Sequence, residues 1–218
     1  MTDISSYIDH TQLSPAASET DIRKLCEEAW LQKFKGICVA PTYVPYAVEM
    51  LEFCPIRIEI VTVIGYPFGF STTTAKVAEA AQALKSGATE LEVVMNFSQF
   101  KSMAYLSVRE ELQQISEMVH AKNALLTIIL ETDYLDTFDL YTVSEICMEA
   151  KADFVKPSTG LNAAPDPENI KKLRALIPAN IKIKAAGNIE TYDQAVALIE
   201  AGADRLGTSS GIAIVAGK

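Results

Sequence analysis

The chain has 218 residues, 49% of them hydrophobic, which is enough to bury the core of one domain, expected to span residues 1–218. Its formal net charge of −9 argues against nucleic acid as a partner, and the lack of any long apolar run argues against a membrane span. Because no signal-peptide pattern is visible and the four cysteines have no paired spacing, the sequence predicts a cytoplasmic protein with reduced thiols.

Short apolar runs alternate with amphipathic helical patterns along the chain. One helix is predicted from about Thr20 to Gln32 by its apolar face, another from Asp166 by an Asp-Pro start, and a third from Thr191 by a capping box with Gln194. The predicted strands, the first of which has the weakest signal, are roughly Ile8–His10, Gly36–Ala40, Ile58–Ile64, Glu90–Met95, Leu125–Leu130, Phe154–Lys156, Ile181–Ala185 and Arg205–Gly207.

A weak internal repeat indicates how these elements are arranged. The segments Ser86–Leu91, Ala150–Val155 and Ala201–Leu206 are similar, and each ends a helix with a tight turn and opens a strand. Eight such strands leave about 27 residues per unit, the length of a βα unit. We therefore predict an α/β fold, a (β/α)8 TIM barrel. A doubly wound open sheet is the alternative, with less support because no Gly-x-Gly-x-x-Gly follows the first strand.

Two lysines at strand ends carry the chemical hypothesis. Lys156 ends the sixth predicted strand and Lys184 lies on the seventh, so both reach the active-site end of such a barrel. We expect each ammonium to lower the pKa of the other, which frees one amine to attack a carbonyl and form an imine. The alternative is that each lysine merely extends to solvent. Lys182, one pleat lower, is expected to be structural.

Polar groups from the other strand ends surround this pair. Glu92 on strand four is either an ion-pair partner of a lysine or a proton shuttle. Asp9 and Thr11 either bind a sugar hydroxyl or hold the first strand, and Cys38 is expected to pack rather than react. The Gly207–Gly211 turn offers backbone N–H groups and hydroxyls, and together with the turns at Gly160 and Gly187 it predicts a phosphate site.

These stretches resemble one family, deoxyribose-phosphate aldolase, along the whole chain. The stretches that carry the resemblance are Ile8–Thr11, Ile37–Pro41, Val63–Gly69, Gly87–Leu91, Ile128–Thr132, Phe154–Lys156, Ser158–Gly160, Lys184–Gly187 and Gly207–Gly211. The resemblance implies a lyase with a TIM-barrel fold and no metal or cofactor. It implies reversible cleavage of 2-deoxy-D-ribose 5-phosphate to acetaldehyde and D-glyceraldehyde 3-phosphate, a step of carbohydrate degradation. A sugar phosphate and short aldehydes are then the partners, and a homodimer is the expected assembly.

The resemblance also assigns roles to residues. Lys156 is implied as the Schiff-base lysine, with Lys184 and Glu92 as its catalytic partners. Asp9, Thr11, Cys38 and Thr159 are assigned to substrate binding. The phosphate-binding set is Gly160, Gly187, Asn188, Gly207, Ser209 and Ser210.

The chain also departs from the family's usual pattern. Glu92 replaces an aspartate, Thr127 a lysine and Asn188 a glycine, and Glu190 places a negative charge where the family has an arginine. Pro157 and Ala40 depart as well. Three hypotheses follow: the family's own reaction, an aldolase that prefers a smaller or unphosphorylated acceptor, and a sugar-phosphate-binding barrel with weakened catalysis.

Overall fold

The computed structural model describes residues 3–161 and 164–217, and within these residues eight parallel strands close into a barrel in chain order. The first strand pairs with both the second and the eighth. The predicted (β/α)8 barrel is therefore confirmed, and the open sheet is wrong. The strands are β1 (Ile8–Gln12), β2 (Gly36–Val39), β3 (Glu59–Ile64), β4 (Glu90–Val94), β5 (Leu125–Ile129), β6 (Phe154–Lys156), β7 (Lys182–Ala186) and β8 (Arg205–Thr208).

Helices follow the strands and cover the outside of the barrel. The first helix begins at Glu19, one residue earlier than predicted, and Ser18 caps it in a capping box with Asp21. The predicted caps at Asp166 and Thr191 are both present. The helices are α1 (Glu19–Gln32), α2 (Val44–Leu51), α3 (Thr73–Lys85), α4 (Phe97–Lys101), α5 (Tyr105–His120), α6 (Thr137–Glu149), α7 (Pro167–Leu176), α8 (Tyr192–Glu200) and α9 (Gly211–Ala216).

The three similar joints have the same geometry. In each joint the helix ends, the residue one past its cap has a positive φ, and a strand begins three residues later; these residues are Gly87, Lys151 and Gly202. The joints lie at the amino ends of β4, β6 and β8. Longer loops follow the carboxyl ends of the strands, and active sites of TIM barrels lie at that end.

The hydrophobic core lies between the strands and the helices, and it includes aliphatic side chains such as Ile8, Ile37, Leu91 and Leu206. Because side chains along a strand point alternately to its two faces, the residues next to these core residues point into the barrel. Barrels of this type usually fill that space with aliphatic layers, but here it holds buried charged side chains: Asp9, Glu90, Glu92, Lys156, Lys184 and Arg205. Among the described residues, no helix combines the length and apolarity needed to cross a membrane.

Candidate active site

Lys156 and Lys184 share one carboxylate at the carboxyl-end mouth of the barrel. Lys156 Nζ donates to Glu92 Oε2 at 2.7 Å, and Lys184 Nζ pairs with the other oxygen, Glu92 Oε1. The three side chains are at most 4% exposed. The strand register contributes to this, because β6 pairs with β7 so that Lys156 and Lys184 are at the same level, and β4 lies only two strands from β6.

A second layer of charge lies beneath this trio. Lys184 Nζ lies 2.5 Å from Asp9 Oδ2 and 3.4 Å from Glu90 Oε1, and Arg205 Nη1 lies 2.7 Å from Asp9 Oδ1. Thr127, where the family has a lysine, donates its hydroxyl to Glu90 Oε1 at 2.9 Å. Buried charges are tolerated when they are paired, and here three basic side chains face three acidic ones.

The network sets the protonation of its members. Burial opposes the charge of Glu92, but Lys156 and Lys184 outweigh it and lower the pKa of Glu92 to about 2. Burial likewise opposes the charge of Lys184, yet Asp9, Glu90 and Glu92 raise the pKa of Lys184 well above its ordinary value. The expectation that the two lysines lower each other's pKa is therefore wrong for Lys184, because three carboxylates surround it.

A cavity of about 330 Å³ opens above Lys156. Thr11 from β1 and Thr159 from the loop after β6 line it, and so does Tyr66 from the loop after β3. The remaining wall belongs to the predicted phosphate turns, with Gly160, Gly187, Gly207 and Ser209. The structure thus brings Lys156, the predicted Schiff-base lysine, and most of the predicted phosphate residues to one cavity.

Gly160 and Gly187 meet at the rim of this cavity and leave no room for a side chain. A Cβ on Gly187, whose φ is +100°, would lie 2.5 Å from Gly160 Cα. The N–H of Gly187 donates to Gly207 O and that of Gly160 to Ser158 Oγ. These two amides therefore hold the rim together, and a role of theirs in binding phosphate stays a prediction.

Several predicted residues do not line the cavity. Asn188 lies on a neighbouring surface pocket with Gln194, and Ser210 is also outside the cavity wall. Asp9 is fully buried on Lys184 and Arg205, which favours its structural alternative. Cys38 is buried and packs beside Tyr66, and burial raises the pKa of its thiol.

Three residues of the site were not among the predicted site residues. Glu90 lies two residues before Glu92, so the strand period turns both into the barrel, and that signal was available. Arg205 opens β8 and points to Asp9 across the closure of the barrel. Glu131 has a positive φ of 48° and accepts the N–H of Thr159, which fixes the loop after Lys156.

A parallel barrel that presents a lysine pair on one buried carboxylate fits an aldolase that works through a lysine imine. The chain belongs to the DeoC/LacD family of aldolases, whose family model matches residues 4–217. A deoxyribose-phosphate aldolase of Thermococcus gammatolerans is 42% identical to it, over 99% of this chain and 96% of that protein.

The chain is also similar to solved structures of aldolases. An aldolase called QR15 is 38% identical with a TM-score of 0.92, over 99% of this chain and 96% of that one. The deoxyribose phosphate aldolase of Aeropyrum pernix, described as tetrameric, is 33% identical with a TM-score of 0.91, over 98% of this chain and 89% of that one.

Proposed function

We propose that this chain reversibly cleaves 2-deoxy-D-ribose 5-phosphate to acetaldehyde and D-glyceraldehyde 3-phosphate as a class I, metal-independent aldolase. The observation that carries the proposal is the Lys156–Glu92–Lys184 arrangement, with 2.7 Å between Lys156 Nζ and Glu92 Oε2, below a cavity rimmed by glycines and hydroxyls. Relatives at about 40% identity that are named deoxyribose-phosphate aldolases support the same substrate.

Lys156 is the nucleophile because it alone of the two lysines lines the cavity. Lys156 passes its ammonium proton to Glu92 Oε2, 2.7 Å away, and the free amine adds to the C1 aldehyde. The proton returns to the hydroxyl formed by this addition, which leaves as water and gives a protonated imine. Two-carbon and three-carbon products require cleavage of the C2–C3 bond. The electrons of that bond enter the protonated imine to give an enamine, while the C3 hydroxyl loses its proton. The enamine then takes up a proton at C2, and hydrolysis frees acetaldehyde and Lys156.

Glu92 is the group that handles these protons. Its pKa of about 2 keeps it ionised at neutral pH, so it can receive the hydroxyl proton through a water in the cavity. Lys184 remains a cation and holds Glu92 Oε1, which orients the carboxylate. Lys184 acts in this account by positioning and by charge.

The phosphate of the substrate is expected to bind at the side of the cavity formed by Gly207 and Ser209. Glu190, which could repel phosphate, does not line the cavity, and its backbone N–H is held by Gln194. That placement favours the phosphorylated substrate over the hypothesis of an unphosphorylated acceptor.

The assay that tests the proposal follows acetaldehyde release from deoxyribose 5-phosphate with a chelator present. We expect turnover in the wild type and its loss in Lys156→Ala. Lys182→Ala is the matched control, because Lys182 is an exposed lysine at the opposite end of the barrel, 5.5 Å from the ring of Phe154. Tight substrate binding without cleavage would favour the non-catalytic sugar-phosphate-binding barrel instead, and a strong preference for deoxyribose would favour the unphosphorylated acceptor.

We also propose that the barrel acts as a single domain in the cytoplasm and forms a homodimer. Its exposed apolar side chains, including Met103 and Leu106 near the start of α5, support self-association. Light scattering tests the assembly, and a monomer at micromolar concentration would contradict the dimer.

A further inference from the structure

A second cavity, of about 230 Å³, lies beside the first and is walled mainly by aromatic and aliphatic side chains. It is formed by the loops after β3, β4, β5 and β6, whereas the phosphate side of the first cavity is formed by β1, β7 and β8. Its lining includes Pro67, Phe68, Phe70, Val94, Phe97 and Tyr134. The reaction proposed above uses none of these six side chains.

This apolar cavity is joined to the reactive lysine. Thr159 and Leu161, which follow Lys156 in the chain, line both cavities. Val94 lies two residues beyond Glu92 on β4, so the strand period places it on the same inner face, one pleat nearer the mouth. A carbonyl compound on Lys156 can therefore direct a phosphate toward β7 and β8 and an apolar substituent toward β4.

The aromatic wall is held in place by the backbone. Phe68 and Phe70 are 63% and 67% exposed, yet their rings stack with centroids 5.4 Å apart. Gly69 between them packs so closely on β4 that a Cβ there would lie 2.1 Å from Met95 O. The one carboxylate in the wall, Glu131, already accepts the N–H of Thr159, so the lining suits an apolar group.

We propose that this cavity binds the hydrocarbon chain of an apolar aldehyde that Lys156 captures as an imine, so that such aldehydes serve as the nucleophilic partner in place of acetaldehyde. The inference rests on the proposed lysine chemistry. A cavity of about 150 Å³ can hold a benzene molecule, so about 230 Å³ accommodates a chain of roughly six carbons.

The chemistry is that of the proposed reaction with a longer donor. The Lys156 amine adds to the aldehyde carbon, and the carbonyl oxygen leaves as water to give the imine. Glu92 takes up a proton from C2 to give the enamine, whose C2 attacks the carbonyl carbon of the second aldehyde. The oxygen of that aldehyde takes up the proton, and hydrolysis of the imine frees the product and Lys156. The substituent on C2 points away from the phosphate side, which is why the cavity beyond Val94 is the space available to it.

Borohydride trapping tests the inference. The probes are hexanal and acetaldehyde, each trapped at a series of concentrations, with the labelled peptide identified by its mass increment and N-acetyl-lysine as the reference for intrinsic reactivity. After this correction, we expect hexanal to label Lys156 at a concentration at least about tenfold below that of acetaldehyde, because several methylenes leave water.

The variants Phe68→Ser and Phe70→Ser should reduce that preference for hexanal several-fold. Phe53→Ser removes a phenylalanine that is 84% exposed and lies outside the cavity, so it should keep the preference. Acetaldehyde labelling without a preference for hexanal overturns this inference alone, and so does an equal loss in Phe53→Ser. Labelling by neither aldehyde overturns the proposed function as well. If Phe68→Ser and Phe70→Ser change the oligomeric mass of the protein but leave its preference for hexanal unchanged, these phenylalanines form a contact between copies of the chain. That result would also overturn the inference.

Discussion

Glu92 on β4 bridges Lys156 and Lys184, which lie two and three strands away around the barrel, with 2.7 Å between its Oε2 and Lys156 Nζ and its other oxygen on Lys184. Lys156 and Glu92 are 64 positions apart in sequence, and both are buried. The longer side chain of glutamate, where the family usually has aspartate, therefore still carries one carboxylate to both cations. This contact indicates that glutamate in place of aspartate at position 92 can still exchange protons beside Lys156.

Glu92→Gln should lower kcat by about 10²- to 10⁴-fold, because the amide cannot hold a proton and leaves both lysines without their shared anion. Glu92→Asp keeps the charge and should retain far more activity than the glutamine variant. Steady-state kinetics with deoxyribose 5-phosphate measures both. Equal losses in the two variants would show that side-chain length, and not charge, is what matters at this position.

The pH dependence of stability should report the same ion pairs. Because Glu92 has a pKa of about 2 in the folded chain and about 4.5 as its ordinary value, it binds a proton more readily when unfolded. Its contribution is present above pH 4.5 and is lost as the pH falls toward 2; the shift corresponds to on the order of 3 kcal/mol. The raised pKa of Lys184 acts in the opposite direction, and its contribution is lost only in strong alkali.

Urea unfolding of the wild type and Glu92→Gln between pH 6 and pH 3 measures this contribution. The difference in unfolding free energy between them should shrink as the pH falls. Carboxylates remote from Glu92 titrate in both proteins and cancel in the comparison, whereas Glu90, whose pKa depends on the charge of Glu92, contributes to the measured difference. A difference that stays constant over this range would mean that folding does not change the pKa of Glu92.

A second buried ion pair supports the site from outside the barrel. Lys76 Nζ lies 2.6 Å from Glu111 Oε1 and 2.8 Å from Val94 O, and neither side chain is exposed. Lys76→Met should destabilise the protein by about 3–5 kcal/mol, because it leaves Glu111 as an unpaired buried charge. Adding Glu111→Met should recover part of this loss, which a double-mutant cycle by urea unfolding measures. Strictly additive losses would contradict direct pairing.

The rim of the first cavity can be tested at Gly187. Gly187→Ala places a Cβ 2.5 Å from Gly160 Cα and forces the rim apart, so KM for deoxyribose 5-phosphate should rise about tenfold, the effect expected for lost binding. Gly217→Ala is the control, since its Cβ would make ordinary contacts at 3.4 Å. An unchanged KM in Gly187→Ala would remove this rim from phosphate binding.

The sequence predicts the barrel well because its signals are local. The short apolar runs, the Asp166 and Thr191 caps and the repeated joints each depend on residues a few positions apart. The grouping of Lys156, Lys184 and the glycine turns in one site could also be predicted, because parallel strands place their carboxyl ends on one side of the barrel.

The electrostatics could not be predicted in the same way. Lys184 and Glu90 are 94 positions apart, and their contact depends on how the strands are staggered around the closed barrel. The sequence did not place Asp9 and Glu90 beside Lys184 and therefore predicted a lowered pKa for this lysine. The charges of these two carboxylates instead raise the pKa of Lys184. The apolar cavity could not be predicted from the sequence either, since Phe68, Phe97 and Tyr134 come from the segments that follow three different strands.

The most direct test of the account is borohydride trapping with acetaldehyde, followed by peptide mapping of the labelled site. The account predicts one ethyl adduct, on Lys156, which is absent from Lys156→Ala and absent from Lys184 in every variant. An adduct on Lys184, or turnover of deoxyribose 5-phosphate without any labelling of Lys156, would contradict it.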